Sequence, residues 1–171
     1  ELKQVVVFQN ATDDELQLIL QNSITRSIEE SGFFFFHGDP AKYLYILTSG
    51  QAKLMQSAAD GQQVSLRIIY PWQMFGALGA VRAEATYPAS AQALEDSTAL
   101  AIKSEFLHEM IKTSPHISFD LMNLMTSYIQ EMQSRYRELA TERVEQRVAN
   151  ALIRLAGQSG IRAEKEAGIE L

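Results

Sequence analysis

The sequence contains no cysteine, and this absence excludes several function classes at once. Disulfides, thiolate metal sites, cysteine-ligated iron–sulfur clusters and a cysteine nucleophile all need a thiol. No apolar run approaches the roughly 18 residues of a membrane-spanning helix, and no signal-peptide pattern opens the chain. Basic residues are outnumbered by acidic ones, 15 to 21, and the net charge is −6. This balance argues against a nucleic-acid-binding face on these residues. We therefore expect a cytoplasmic domain without an iron–sulfur cluster.

Histidine is equally scarce, which bears on catalysis. The chain has three histidines, His37, His108 and His116, and they are isolated in sequence. Metal-dependent enzymes built on β-barrels need clustered ligands, such as a His-x-His pair with a nearby carboxylate. No spacing of this kind is present, and none indicates a Ser-His-Asp arrangement. We predict no catalytic residues and no metal site, and we do not expect an enzyme.

The N-terminal half has the pattern of a β domain preceded by a short helix. Thr12 and Glu15 form a capping-box pattern, with Thr12 as N-cap, and the helix that they begin should end near Asn22. Between residues 24 and 102, short apolar or alternating runs are separated by turn signals, which predicts an antiparallel sandwich or barrel. The run of phenylalanines at 33–36 indicates a buried strand, and Asp60-Gly61 indicates a hairpin turn.

The C-terminal part has the pattern of helices. Ser104 is predicted to be the N-cap of a helix that runs to about Lys112. Pro115 then starts another helix, because a proline at the first helical position forfeits no hydrogen bond. No breaker occurs before Gly157, and a helix from 115 to 141 would be about 40 Å long. We expect a further helix over 142–156, closed by the glycines at 157 and 160.

The long helix carries two apolar faces. One is a seam of residues spaced alternately by three and four, the a/d repeat through which two helices bury a shared stripe: Met122, Met125, Ile129, Met132, Tyr136 and Leu139. Beside it lies a second ridge, made of Ile117, Leu121, Leu124 and Tyr128. We expect one face to pack on the chain's own β domain and the seam to form a homodimer interface. The simpler alternative is that both faces pack inside one subunit.

Several short motifs occur in an order and spacing that resemble a known family. They are Gly38-Asp39-Pro40-Ala41, Leu44 to Gly50, Asp60-Gly61, the run Phe75-Gly76-Ala77-Leu78-Gly79, and Arg147 to Leu152 with Leu155-Ala156. Together they resemble the sensor domain of the cyclic-AMP receptor/fumarate-nitrate regulator superfamily of bacterial transcription factors. The resemblance extends from about Leu16 to Gly160.

The resemblance implies an α+β fold: an antiparallel double-stranded β-helix of the jelly-roll type, with flanking short helices and a long C-terminal dimerisation helix. It divides the chain into an effector-sensing β-roll (1–112), a dimerisation helix (113–141), a following helix (142–157) and a linker (158–171). In the family a winged helix-turn-helix comes next. The sequence stops where that domain would begin, so we expect a fragment of a regulator that contacts DNA through a domain outside these residues.

The family's nucleotide-binding members hold the cyclic phosphate and ribose with a Glu and an Arg. At the matching positions this sequence has Ala77 and Tyr87, and Pro88 replaces the usual small hydroxyl residue. The polar pair that meets the base falls at Met132 and Gln133. A helix N-terminus and a guanidinium are the groups that suit a phosphate. The guanidinium is missing at position 87, and the one arginine of the intervening loop, Arg82, would have to swing inward to replace it. We therefore do not expect cyclic AMP to bind in the usual way.

The predicted effector site is mostly apolar. It consists of the residues at the family's ligand positions: Trp72, Phe75, Gly76, Ala77, Leu78, Gly79, Tyr87, Pro88, Ala89 and Ser90. A hydrophobic or planar effector would suit these residues, and they could equally form plain core. The cofactor is left open: a haem sensor of nitric oxide or carbon monoxide is one alternative, with His37, His108 or His116 as axial ligand and the methionines of the long helix as softer options. A cyclic-nucleotide-binding-like domain of a kinase or channel regulator is the other alternative.

Overall fold

The computed structural model describes residues 1–57, 63–77, 81 and 84–153. The chain divides into two compact units, Glu1–Leu124 and Met125–Leu171. No helix in the described part combines the length and the apolar character that crossing a membrane would require. The first unit holds the β domain, the short helices and the start of the long helix, and the second unit holds the rest of the long helix and the shorter helix after it.

The first unit opens with two short 3₁₀ turns, Leu2–Gln4 and Val6–Phe8, followed by helix α1, Asp13–Gln21. The predicted capping box is confirmed. The Glu15 amide donates to Thr12 Oγ1 at 3.3 Å, and the Thr12 amide donates to Glu15 Oε2 at 2.9 Å. Helix α1 ends at Gln21 with Asn22 as its C-cap, in agreement with the predicted end near Asn22.

In the part of the chain that the structure describes, eight strands form two four-stranded sheets with the orders β1-β8-β3-β6 and β2-β7-β4-β5. Their bounds are β1 Ser23–Ile28, β2 Phe33–Phe35, β3 Tyr43–Ser49, β4 Ala52–Ser57, β5 Gln63–Ile69, β6 Met74–Phe75, β7 Ser90–Ala93 and β8 Ser97–Lys103. Every strand pair is antiparallel. The predicted β-roll fold is confirmed.

Strands β4 and β5 pair directly, with Ala52 opposite Ile69 and Ser57 opposite Gln63. This pairing is what a hairpin with its turn near Asp60-Gly61 requires, although those two residues lie outside the described ones. The register shifts between Leu54 and Met55, which lie opposite Arg67 and Ser65, so the extra residue of this bulge is on β5.

The core of the roll combines large rings with alanines. Aromatic side chains come from β2, β3, β6 and position 87, while Ala91, Ala99 and Ala101 are fully buried on β7 and β8. Small side chains opposite large ones let two facing sheets interdigitate at normal packing density. The end of the phenylalanine run corrects a prediction: Phe36 is 53% exposed and lies beyond β2, because its amide donates to Asp39 Oδ2 at 2.9 Å in a turn.

Helix α2 spans Ser104–Thr113 and helix α3 spans Pro115–Thr141. The predicted bounds of α3 are confirmed. The predicted N-cap of α2 is wrong by one residue, because Lys103 takes that position. The Ser104 hydroxyl donates instead to the Ala41 carbonyl at 2.6 Å, so it ties the start of α2 to the residues before β3.

In the second unit, α3 ends at Thr141 and residues 142 and 143 are not helical. Helical residues resume at 144 and are described to 153, with the Arg143 amide donating to Gln146 Oε1 at 3.3 Å. The helix after α3 therefore begins two residues later than predicted. Leu155, Ala156, Gly157, Gly160 and the predicted linker over 158–171 lie outside the described residues.

Candidate functional site

Tyr87 occupies the interior of the β-roll at the position where the resemblance would place a phosphate-binding arginine. Its ring stacks on Phe35 with the centroids 3.8 Å apart and the planes 17° from parallel. Its hydroxyl donates to the Tyr43 carbonyl at 2.7 Å and accepts from the Tyr43 amide at 3.1 Å. Burial raises the pKa of Tyr87, so the group is a neutral phenol at physiological pH.

Further rings continue this packing, and we call the whole set the aromatic core: Phe34, Phe35, Tyr43, Tyr45, Phe75 and Tyr87. Phe75 stacks on Tyr45 with centroids 5.1 Å apart, and Phe34 meets Phe75 edge-on at the same distance. The Tyr45 hydroxyl donates to the Phe34 carbonyl at 3.4 Å. Burial raises the pKa of Tyr45 as well. Offset and edge-on ring pairs of this kind add stability beyond their buried area.

The segment after Phe75 passes against the Tyr87 ring. Gly76 has a φ of +77°, and a Cβ added there would lie 3.2 Å from Tyr87 Cε1. Glycine is therefore required twice, by the left-handed backbone and by the close approach. Ala77 is the next residue and is buried. The predicted site residues Leu78 and Gly79 lie outside the described residues, as does Arg82.

The segment 86–90 is fastened to the turn before β3. The Tyr87 amide donates to the Asp39 carbonyl at 3.0 Å, and the Gly38 amide donates to the Tyr87 carbonyl at 2.9 Å. Ser90 Oγ accepts from the His37 amide at 2.9 Å, and the Pro88 carbonyl accepts from Gln56 Nε2 at 2.6 Å. Ala89 is buried within this segment. The structure thus brings Phe75, Gly76, Ala77 and residues 87–90 together in one part of the roll.

Trp72 belongs elsewhere. It lines an apolar depression of about 540 Å³ on the first unit, together with Leu2, Leu16, Leu20, Thr48, Leu100 and Glu1. Its backbone is left-handed, with a φ of +67°, and its amide donates to the Leu47 carbonyl at 2.7 Å. The structure therefore does not bring Trp72 into the aromatic core with Phe75 and Tyr87.

The described interior of the chain contains no charged side chain. Among the described residues, the buried polar side chains are Ser97, Ser104 and Ser114, and none of them carries a charge. An anion that entered the aromatic core would lose its hydration and meet no buried cation from the described residues, which is costly. The described part of the roll therefore offers a phosphate no buried positive charge.

The three histidines do not converge on the aromatic core. His37 is exposed in the turn after β2, and His116 Nε2 lies 3.0 Å from Glu15 Oε2. His108, on α2, has an enclosed Nε2 without a hydrogen-bond partner in the described part. The described residues also contain no group of three or more His, Asp or Glu side chains placed to hold a metal ion.

On α3, the two apolar faces differ in exposure within the chain. On the second ridge, Ile117 and Leu121 are buried. Most of the seam is exposed: Met122, Ile129, Met132, Tyr136 and Leu139 each show more than half of their surface to solvent, up to 74% for Tyr136, while Met125 is half-buried. A stripe of this size is unusual on a lone surface helix.

Comparison with known proteins agrees with this architecture. A family model for the cyclic nucleotide-binding domain matches residues 25–114, more than half of the chain. The chain belongs to this family. Its relatives are transcription regulators of the cyclic-AMP receptor/fumarate-nitrate regulator superfamily.

Two of these relatives, and two structures, define the likeness. The chain is 28% identical over 158 residues to the anaerobic regulatory protein of Bacillus subtilis, covering 92% of this chain and 66% of the relative. It is 28% identical over 152 residues to the cyclic AMP receptor protein of Thermus thermophilus, covering 89% of this chain and 70% of the relative. Against the crystal structure of the Thermus thermophilus catabolite activator protein, the TM-score is 0.70, with 28% identity and coverage of 89% and 71%. The sensor domain of the regulator DNR from Pseudomonas aeruginosa shares the fold, with a TM-score of 0.69, 20% identity and coverage of 78% and 89%.

Sequence reasoning within this family finds Phe75 and Tyr87 but misses their partners. It assigns Phe35 to a buried strand without a role, although the phenylalanine run is an available signal, and it does not single out Tyr43. It assigns Glu15 only to a helix cap. In the structure its carboxylate also accepts from Ser114 Oγ at 2.6 Å, a contact across 99 positions that no local pattern indicates.

Proposed function

We propose that this cyclic nucleotide-binding-type domain is the effector-sensing and dimerisation module of a bacterial transcription regulator. An effector in the β-roll would control DNA binding by a winged helix-turn-helix domain that these residues do not contain. The superfamily of the relatives supports the regulatory role, and the exposed seam of α3 supports a homodimer. The chain spans about two thirds of the Bacillus subtilis relative, so the activity of a whole regulator belongs to this proposal.

The effector that suits the module is apolar or planar, and cyclic AMP in the usual mode does not suit it. The observation that carries this is the position of Tyr87, which stacks on Phe35 and bonds to both backbone groups of Tyr43. Ala77 likewise offers no acceptor to a ribose hydroxyl. A nucleotide phosphate would have to displace a neutral ring and would receive no guanidinium from position 87 in exchange.

The mechanism we propose is a shift between two arrangements. An effector that enters between residues 75–79 and 87–90 must move the Tyr87 ring off Phe35 and break its bonds to Tyr43. Such a ligand shifts the equilibrium only by its differential affinity for the two arrangements. The long helix would carry the change, and a methionine-rich seam suits this because methionine repacks at low cost.

A reporter fusion tests the module. The whole chain is placed ahead of a DNA-binding domain that represses its operator only as a dimer. We expect repression with the wild-type chain, loss of repression with Ile129→Glu, and retention with Gln130→Glu, which adds the same charge beside the seam. Equal repression by all three would contradict the interface.

The choice of effector is tested on the purified chain by thermal unfolding with cyclic AMP. We expect no change in Tm at millimolar cyclic AMP. A saturable rise in Tm would show that the nucleotide binds the native state and would overturn this part of the proposal.

A further inference from the structure

The Glu15 carboxylate makes more contacts than a helix cap needs. Oε2 accepts from the Thr12 amide at 2.9 Å and from the Thr12 hydroxyl at 3.0 Å, which completes the capping box of α1. The other oxygen, Oε1, accepts from Ser114 Oγ at 2.6 Å, and Oε2 also meets His116 Nε2 at 3.0 Å. An ionised carboxylate only accepts hydrogen bonds, so the proton of His116 must be on Nε2.

Ser114 lies at the joint between α2 and α3. Its amide donates to the Met110 carbonyl at 2.8 Å, at the end of α2, and its carbonyl accepts from the Ser118 amide at 3.2 Å, in the first turn of α3. The next residue, Pro115, has no N–H to donate. The Ser114 side chain links this joint to a residue outside both helices, because its hydroxyl donates to Glu15 Oε1.

A second contact lies one turn further along α3. Asn10 Nδ2 donates to Asp120 Oδ2 at 3.1 Å, and the same stretch of helix contributes the buried side chains of Ile117 and Leu121. The N-terminal segment and α1 therefore contact the first two turns of α3 through side chains. Asn10–Asp120 is exposed, whereas the Glu15 side chain is only 17% exposed. Solvent screens the contacts of Glu15 less than it screens the Asn10–Asp120 contact. We therefore assign the contacts of Glu15 the larger effect on the position of α3.

The charge state of Glu15 fits this role. Its hydrogen bond from Ser114 is the largest of the contributions that lower the pKa of the carboxyl to about 2, against desolvation, which raises it. Glu15 is therefore ionised at neutral pH, and hydrogen bonds to a charged acceptor are stronger than neutral ones.

We propose that Glu15 is a positioning residue that holds the start of α3 on the sensor domain through Ser114 and His116. The inference rests on the proposed function, because the position of α3 carries a signal only if the long helix reports to a further domain. In this arrangement, α1 and the N-terminal segment, and not the aromatic core alone, influence the position of α3. A cap of α1 alone would need neither Ser114 nor His116.

Hydrogen exchange on the full chain, measured by mass spectrometry, tests the inference without effector or DNA. Glu15→Gln and Ser114→Ala should each speed exchange of amides in 116–121, by about tenfold for a loss near 1.4 kcal/mol, a typical value for a hydrogen bond to a charged group. Exchange in β3 and β8 should not change. Ser114→Thr keeps the hydroxyl and should restore slow exchange.

Asp13→Asn is the matched control, because it removes one negative charge from the same helix turn and affects only the exposed pair with Lys3 at 2.9 Å. It should leave exchange in 116–121 unchanged. The inference would be overturned if exchange were unchanged in Ser114→Ala, or if faster exchange in Glu15→Gln were confined to α1. Either result would show that Glu15 only caps α1. Ser114→Ala leaves the capping box intact, so the test stands even if Glu15→Gln unfolds.

The reporter fusion separates this inference from the proposed function. Suppose that Ser114→Ala changes repression while size-exclusion chromatography shows an intact dimer. The contact of Glu15 with the joint between α2 and α3 then positions a helix that transmits the signal. If the exchange result holds but the wild-type fusion never represses, the positioning role stands and the regulatory role fails.

Discussion

Gly76 approaches Tyr87 so closely that a methyl group on its Cα would stand 3.2 Å from Cε1 of the ring and 3.4 Å from Phe35 Cε1. One backbone position thus limits how the central ring pair of the roll can move. Because both rings are buried, neither can yield without disturbing the core.

We expect Gly76→Ala to destabilise the domain through both strain and crowding. A left-handed backbone costs a residue with a Cβ about 1–2 kcal/mol, and the ring contacts add to that. Gly38→Ala is the matched control, because Gly38 has a φ of +87° but no atom within 4 Å of an added Cβ. Urea unfolding of both variants gives the difference due to crowding. Equal losses would show that the Tyr87 ring relaxes freely.

The Tyr87 hydroxyl offers a second test. Tyr87→Phe keeps the ring stack but leaves the carbonyl and amide of Tyr43 without their bonds, which should lower the free energy of unfolding by about 1–3 kcal/mol. Tyr70→Phe makes the same chemical change at a half-buried position outside the seam of α3 and should have little effect. Denaturant titration monitored by far-UV circular dichroism measures both. A neutral Tyr87→Phe would mean that the hydroxyl only occupies space.

The seam of α3 makes a prediction about assembly. Ile129→Glu places a charge in the centre of the stripe, and burying an unpaired charge between two helices is costly, so the variant should be monomeric. Sedimentation velocity of the wild type and the variant at equal concentration measures this. Gln130→Glu should sediment like the wild type, and a dimer of Ile129→Glu would place the interface elsewhere.

The stability of the domain should fall in acid partly through Glu15. The native carboxyl has a pKa of about 2, below its ordinary 4.5, so the unfolded chain takes up the proton first as the pH falls. The contribution of Glu15 is complete above pH 4.5 and is lost as the pH drops toward 2. Urea unfolding at about pH 7 and about pH 3 should therefore show a smaller loss for Glu15→Gln than for the wild type. Identical losses would contradict the lowered pKa.

The elements that sequence reasoning locates correctly are those with local causes. Thr12 and Glu15 are three residues apart and cap one helix, and Pro115 determines where α3 can begin. Their signals lie within a single turn of chain, so propensity and capping rules are sufficient to find them.

The two errors have different causes. Ser104 has the pattern of a cap for α2, but its hydroxyl reaches Ala41, 63 positions earlier, and Lys103 takes the cap. That tertiary contact is not displayed by a single sequence. Phe36 has the pattern of a buried strand residue, yet the side chain of Asp39, three residues later, draws its amide into a local turn.

Only part of the candidate site could be predicted from the sequence. The family resemblance locates Phe75 and Tyr87 because they occupy ordered positions in a recognisable motif. It does not reveal that Phe35 lies beneath Tyr87, nor that Trp72 lies in a depression with Leu16 and Leu20. The pairing of β2 with β7, which brings Phe35 opposite Ala91, is a contact between distant segments.

The location of Trp72 separates two optical signals in this molecule. It is the only tryptophan of the chain, and it lies beside α1 and the N-terminal residues, while Tyr45 and Tyr87 lie in the interior. Indole emission therefore reports on the outer surface near α1. Once Tyr70, Tyr128 and Tyr136 are replaced by phenylalanine, the phenol absorbance comes from the tyrosines of the aromatic core. Events on the two sides of one sheet can then be followed independently, without any attached label.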